Sequence, residues 1–226
     1  MSTVKLTADS GGGTVAIAGP STTESNAALE LTLPSSGTGA KIISSKYPSS
    51  IQVLEQFYSP CDGSVIALAN GNLTLPTVSG VAELTTSLAD LAFSSISYNP
   101  PTGTTQVIYE CQFYMTSGDA TPLIHFIFNV DGTDVTNSSW THMVTNNQRD
   151  TSLISFRWGI NIGGSTTAAT GRLASWSSAK TIKLRGREYS SGNEGVIHEV
   201  YHWDGSTNQQ RFHQPCIGIT AIGAAS

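Results

Sequence analysis

The sharpest chemical pattern in the chain is His198-Glu199-Val200-Tyr201-His202. On a helix, the H-E-x-x-H spacing sets two imidazoles one turn apart. Both then reach one zinc ion, and the Glu serves as base on zinc-bound water. The flanks argue against a helix. Gly195-Val196-Ile197 comes before the pattern and Trp203-Asp204-Gly205 after it, a β-branched and aromatic run closed by a hairpin turn. On a strand, His198 and His202 share a face about 13 Å apart, at about 3.3 Å per residue. A Zn–N bond of about 2.1 Å cannot span that gap. The expectation is a strand carrying exposed or interfacial histidines, with no metal. Asn129-Val130-Asp131-Gly132-Thr133-Asp134 resembles a calcium loop, but its Gly stands fourth, whereas an EF-hand loop needs it at position 6. A hairpin turn is expected there.

Two groups of residues are candidates for binding. Lys183, Arg185 and Arg187 place three cations on one strand face. Like charges at that spacing repel, so they should meet water, protecting a sheet edge, or an anionic partner such as phosphate or an acidic sugar. The four tryptophans are Trp140, Trp158, Trp176 and Trp203. Trp158 alternates with apolar residues and is expected in the core. Trp140 and Trp176 sit among serines, asparagine and threonine. An exposed indole in such a setting either stacks on a sugar ring or anchors a subunit interface. Asp62, Asp119, Asp131, Asp134 and Asp204 lie in or beside turns, and spacing pairs no two of them as a glycosidase couple. No G-x-S-x-G, P-loop, Rossmann fingerprint or C-x-x-C occurs. The reading is a non-enzymatic protein without a cofactor.

Composition says what must position these groups. The chain has 226 residues and a formal net charge of -5, and only 12% of residues are charged, about half the usual share. There are 30 serines, 27 threonines and 22 glycines. No apolar run approaches the about 18 residues of a membrane span, so no membrane insertion is expected. A pI near 5.4 gives no nucleic-acid footprint. The opening Met1-Ser2-Thr3-Val4-Lys5 lacks an apolar stretch of secretory type, so no export signal is expected. Cys61, Cys111 and Cys216 should then stay reduced, as small buried hydrophobes.

Period-2 alternation runs through the chain and means strand. Val15 and Ile17 alternate, as do Leu29, Leu31 and Leu33 within Ala27 to Leu33. Residues 1-47 are Gly-rich and carry too little apolar surface to fold alone. From residue 48 a regular β domain follows. Val107, Tyr109, Cys111, Phe113 and Met115 should face inward. Leu123 to Val130 is apolar on both faces and should be central, closed by Asp131-Gly132. Ile154, Phe156, Trp158, Ile160 and Ile162 share a face within Ser152 to Ile162. Thr181 to Tyr189, Val196 to Trp203 and Ile217 to Ile222 complete the strands. Val81 to Phe93 fits a short helix through Val81, Leu84, Leu88 and Leu91 but also holds the strand-like Leu84-Thr85-Thr86-Ser87, and the preferred reading is a strand and then a turn at Ala89-Asp90. About eight strands at this spacing give an all-β chain: an extended β stem over 1-47, then a jelly-roll-like β-sandwich over 48-226.

The block Thr3-Val4-Lys5-Leu6-Thr7-Ala8-Asp9-Ser10-Gly11-Gly12-Gly13-Thr14-Val15, with Gly19-Pro20 and Leu31-Thr32-Leu33-Pro34, resembles a recurring module of tail-fibre and other structural proteins of marine phages, those of cyanobacteria above all. Tyr58-Ser59-Pro60-Cys61-Asp62-Gly63-Ser64, Ser94 to Gly103 and Gly218-Ile219-Thr220-Ala221-Ile222-Gly223 are similar to C-terminal domains of the same proteins. The resemblance implies a virion subunit, assembled in the host cytoplasm as a homotrimer. Its N-terminal segment would attach to other virion proteins of tail or capsid, and its sandwich would meet a host surface glycan. Capsid decoration without a receptor role is the first alternative, and a polysaccharide depolymerase the second. The resemblance brings no catalytic residues. Candidate contacts are Trp140, Trp176, Lys183, Arg185 and Arg187.

Overall fold

The computed structural model describes residues 3–7 and 14–18 as backbone, and residues 52–117, 121–143, 151–202, 204 and 210–223 in full. The chain divides into two compact units, Met1–Ser50 and Ile51–Ser226. In the first unit, β1 (Thr3–Thr7) and β2 (Thr14–Ala18) pair antiparallel, from Thr3↔Ala18 to Thr7↔Thr14. The strand expected over Ala27 to Leu33 lies outside the described residues.

The second unit is built of β3 (Gln52–Pro60), β4 (Val65–Leu68), β5 (Gly71–Thr74), β6 (Ala82–Glu83), β7 (Ala89–Asp90), β8 (Ile96–Tyr98), β9 (Thr104–Ser117), β10 (Leu123–Val130), β11 (Thr133–Met143), β12 (Thr151–Asn161), β13 (Lys180–Glu188), β14 (Gly195–Ile197), β15 (Glu199–Tyr201), β16 (Gln210–Phe212) and β17 (Cys216–Gly223). Two antiparallel sheets carry it. In one, β3, β17, β9 and β12 lie side by side, while β14 pairs with the end of β9 past the end of β17, and β6 pairs with β14. In the other the order is β11, β10, β13, with β8 and β7 both on the far side of β13.

Eight of these strands form the frame: β3, β8, β9, β10, β11, β12, β13 and β17. Counted in chain order, the first pairs the eighth, the second the seventh, the third the sixth and the fourth the fifth. That is one long hairpin rolled on itself, the jelly roll. The roll has two open flanks. At one, β11 of the second sheet faces β12 of the first.

Alternation fixes which side of each sheet is buried. Val107, Tyr109, Cys111, Phe113 and Met115 of β9 are all at most 1% exposed. They meet Ile124, Phe126, Phe128 and Val130 of β10, with ring centroids 5.0 Å apart for Tyr109–Phe128 and 5.9 Å for Phe113–Phe126. Each such buried side chain contributes about 1.5–3 kcal/mol by leaving water. The buried phenol of Tyr109 is satisfied, because its hydroxyl donates to the Ser94 carbonyl at 2.6 Å. Cys61 and Cys111 are buried free thiols, and burial pushes the Cys61 thiol up to about 12.

The turn between β10 and β11 is the expected hairpin. Asp131 and Gly132 have φ of 52° and 83°, the left-handed pair of a type I′ turn. An alanine at 132 would hold that φ against its own Cβ. Gly132→Ala should lower stability by about 1 kcal/mol, read as a shift in the urea midpoint with an unchanged slope.

Two expectations are corrected here. Val196 to Trp203 is not one strand. It breaks between β14 and β15 at His198, whose φ is 66°, and the chain turns there to pair β15 with β16 instead of β9. Ala89-Asp90 is not a turn but the short strand β7, paired with Gly186 and Arg185.

Candidate functional site

His198 is not the exposed or interfacial histidine that the strand reading expects. It is 2% exposed, and its ring packs edge-on against Phe93 at 4.3 Å and lies 6.1 Å from Phe113. Its Nδ1 is buried without a hydrogen-bond partner. Burial, helped by the nearby His213, drops its pKa to about 4, so the ring is neutral at pH 7. Glu199 is buried and accepts a hydrogen bond from the Thr116 hydroxyl at 2.6 Å, while His202 lies exposed just after β15. The helix that zinc chemistry needs is not formed. His198 instead lines one end of a cleft of about 610 Å³, whose walls include Leu84, Leu91, Phe93 and Ile197.

The basic stripe stands on the outer face of β13, and two of its three cations are neutralised. Lys183 Nζ meets Asp90 at 2.6 Å. Arg185 meets Asp134 at 2.7 Å and Asp90 at 3.3 Å, and donates to the Leu88 carbonyl at 3.2 Å. Burial pushes the Asp134 carboxyl up, but hydrogen bonds from Asn129 and Arg185 pull it down further, so it lies below the ordinary value. Arg187 is exposed, across the ladder from His125. Its guanidinium adds to burial in holding the His125 pKa below normal. The stripe is thus largely an internal ion-pair ladder, and β7 supplies the carboxylate between two of its cations.

Trp176 is 7% exposed, donates its Nε1–H to the Tyr98 carbonyl at 3.1 Å and meets the Tyr98 ring edge-on at 6.0 Å. Its ring is core, so the expected exposed stacking face is not there. The surrounding serines misled, because an indole beside hydroxyls is buried readily once its N–H finds a carbonyl.

Trp140 behaves differently. It is half-buried and closes the open flank where β11 faces β12. Four rings line up there. Phe126 and Trp140 stack at 5.0 Å and 28°, Trp140 and Phe156 at 5.1 Å and 9°, and Phe156 and Trp158 at 6.4 Å and 5°. Trp158, expected in the core, is half-buried at the end of this ladder, and its Nε1–H donates to the Thr170 carbonyl at 3.1 Å. Beside the ladder runs a groove of about 410 Å³ lined by Trp140, His142, Leu153, Ser155, Arg157 and Trp158. Leu153 is 50% exposed. Arg157 Nε lies 3.4 Å from Glu110 Oε1. The Ser155 hydroxyl accepts from Gln112 Nε2 at 3.2 Å. His142 Nε2 is buried without a partner, and burial lowers the His142 pKa.

Of the five residues that sequence nominates, the structure brings only Trp140 to an open groove with polar side chains on its walls. His142, Leu153, Arg157 and Trp158 were missed as groove residues. One signal was available, since Leu153 precedes Ile154 on a strand and so puts a large apolar group on the outer face.

No family model matches the chain, and no curated protein does. Among solved structures, the C-terminal domain of EclA, a sugar-binding protein, aligns over 58% of this chain and 84% of its own, at 13% identity and a TM-score of 0.31. The VP2 subviral particle of infectious bursal disease virus aligns over 94% of this chain and 51% of its own, at 11% identity and a TM-score of 0.33. The Gx strain of that virus aligns over 86% and 46%, at 11% identity and a TM-score of 0.32. The chain thus spans about half the length of these viral chains. Likenesses this distant carry no argument, and the architecture rests on the strand pairing above.

Proposed function

We propose that this chain is a virion structural protein, a tail-fibre or appendage subunit of phage type. Its N-terminal segment attaches to the particle and to sister subunits, and its sandwich contacts the host surface. One observation carries this reading: the rolled pairing of eight strands, first with eighth through fourth with fifth. That architecture recurs in viral capsid and lectin domains. Fold alone does not assign a function. The resemblance of residues 3–15 and of the sandwich motifs to phage structural proteins narrows the choice. Host contact would be multivalent, with weak contacts from several copies summed by avidity.

Labelled antibody against the chain, imaged on intact particles by electron microscopy, tests the placement. Label at the tail is the expected outcome. Label on the head overturns the tail reading in favour of capsid decoration, and absence from particles overturns both. Deleting residues 1-47 should weaken the oligomer and incorporation into particles while the sandwich keeps its β-type circular dichroism. An unchanged oligomer with normal incorporation would remove the stem from the proposal.

A further inference from the structure

We infer that the groove between β11 and β12 is a saccharide subsite that takes one neutral hexopyranose, seated against Trp158 and Leu153 and held through its hydroxyls by Ser155 and Arg157. The host-contact reading supplies its biological setting; the chemistry stands on the groove. The volume of about 410 Å³ falls within the about 300–1,000 Å³ of small-molecule sites.

Its aromatic wall is rigid. Trp158 is backed by Phe156, which is backed by Trp140 and then Phe126. The bond from Trp158 Nε1 to Thr170 fixes the indole about its long axis. Phe156 covers one face of Trp158, and the half-buried indole borders the groove. The C–H face of a pyranose suits an apolar wall made by the indole border and exposed Leu153.

The polar groups set the charge preference. Arg157 keeps exposed N–H donors but is offset by Glu110. The Ser155 hydroxyl already accepts from Gln112, so its own proton is free to be donated. His142 has no partner for Nε2. A buried polar atom without a partner is costly, and His142 lines the groove. The neighbours of that ring within the groove are Arg157, itself offset, and otherwise uncharged groups. With no net charge fixed in the groove, an uncharged sugar is preferred over a uronate or sialate.

The full chain labelled with 5-fluorotryptophan gives four ¹⁹F signals, assigned by single Trp→Phe changes. It is titrated with methyl β-galactoside, methyl α-mannoside and methyl β-N-acetylglucosaminide, and separately with glucuronate. The expected result is a saturable, millimolar shift of the Trp158 signal with at least one neutral glycoside, with Trp176 unmoved. Arg157→Ala and Ser155→Ala, whose folding is checked by melting temperature, should each weaken that binding about five-fold. The inference is overturned by no saturable shift with any neutral glycoside, by a response to glucuronate alone, or by movement of Trp176 in place of Trp158. Sugar binding by a chain absent from particles sinks the virion reading and leaves the groove. Blocked host adsorption without sugar binding does the reverse.

Discussion

Phe113→Ala should be the most damaging single truncation in the sandwich, lowering stability by about 3–5 kcal/mol. Phe113 is 1% exposed and joins elements far apart in sequence. Its ring meets Phe93 of the 3-10 turn Ala92–Ser94 at 4.9 Å, Phe126 of the facing sheet at 5.9 Å and His198 of the β14–β15 break at 6.1 Å. Interiors pack at crystal-like density. The surrounding β strands are held by their ladders and cannot collapse into the space an alanine would leave. The transfer cost and the cavity cost therefore add. In a unit of this size the change should lower the melting temperature by roughly 10 °C, measured by calorimetry on the full chain. A loss under about 1 kcal/mol would mean that the two sheets are not packed through Phe113 as described.

Mild acid should destabilise the sandwich through His198. The folded ring takes its proton near pH 4, whereas an unfolded histidine takes it near pH 6.5. Between those values the unfolded chain binds a proton that the folded chain refuses. Stability from this group is therefore complete above about pH 6.5 and declines as pH falls, until the folded ring is itself protonated. The full loss is about 3 kcal/mol. The cause is local. The imidazolium would sit against Phe93 and Phe113 with Nδ1 unpartnered and with His213, itself a potential cation, beside it. Asp134, whose carboxyl lies below its ordinary value, weakens the fold only at lower pH, whereas His125 and His142, also held below the ordinary histidine value, add losses of the same sign in this window.

His198→Asn separates the titration from the backbone. Asparagine accepts the positive φ of this position better than most residues and does not titrate. The variant should start less stable, having lost its packing on Phe93, but its urea midpoint should fall clearly less than the wild type's between pH 6.5 and pH 4, the remainder coming from His125 and His142. A wild-type slope retained in His198→Asn would place the acid sensitivity elsewhere.

The amino-acid sequence alone determined the frame. Alternation at Val107, Tyr109, Cys111, Phe113 and Met115 named the residues that line the core, because the strand repeat of 2 is a local property that neighbours in the chain share. Leu123 to Val130 read as central because both its faces are apolar. Asp131-Gly132 read as a turn because only certain residues accept its dihedrals at low cost. Tertiary structure decided the rest. Trp176, set among serines, is core because a carbonyl 78 residues away, at Tyr98, accepts its N–H. Trp158, in step with core residues, is half-open because β12 ends its sheet. Lys183 and Arg185 read as free cations until the roll brought Asp90 and Asp134 beside them. His198 read as a strand residue, yet it turns the chain and plugs the core. The frame comes from patterns only a few residues long. Burial of any one polar or aromatic group depends on which distant segment packs over it, and nothing in the local spacing specifies that segment.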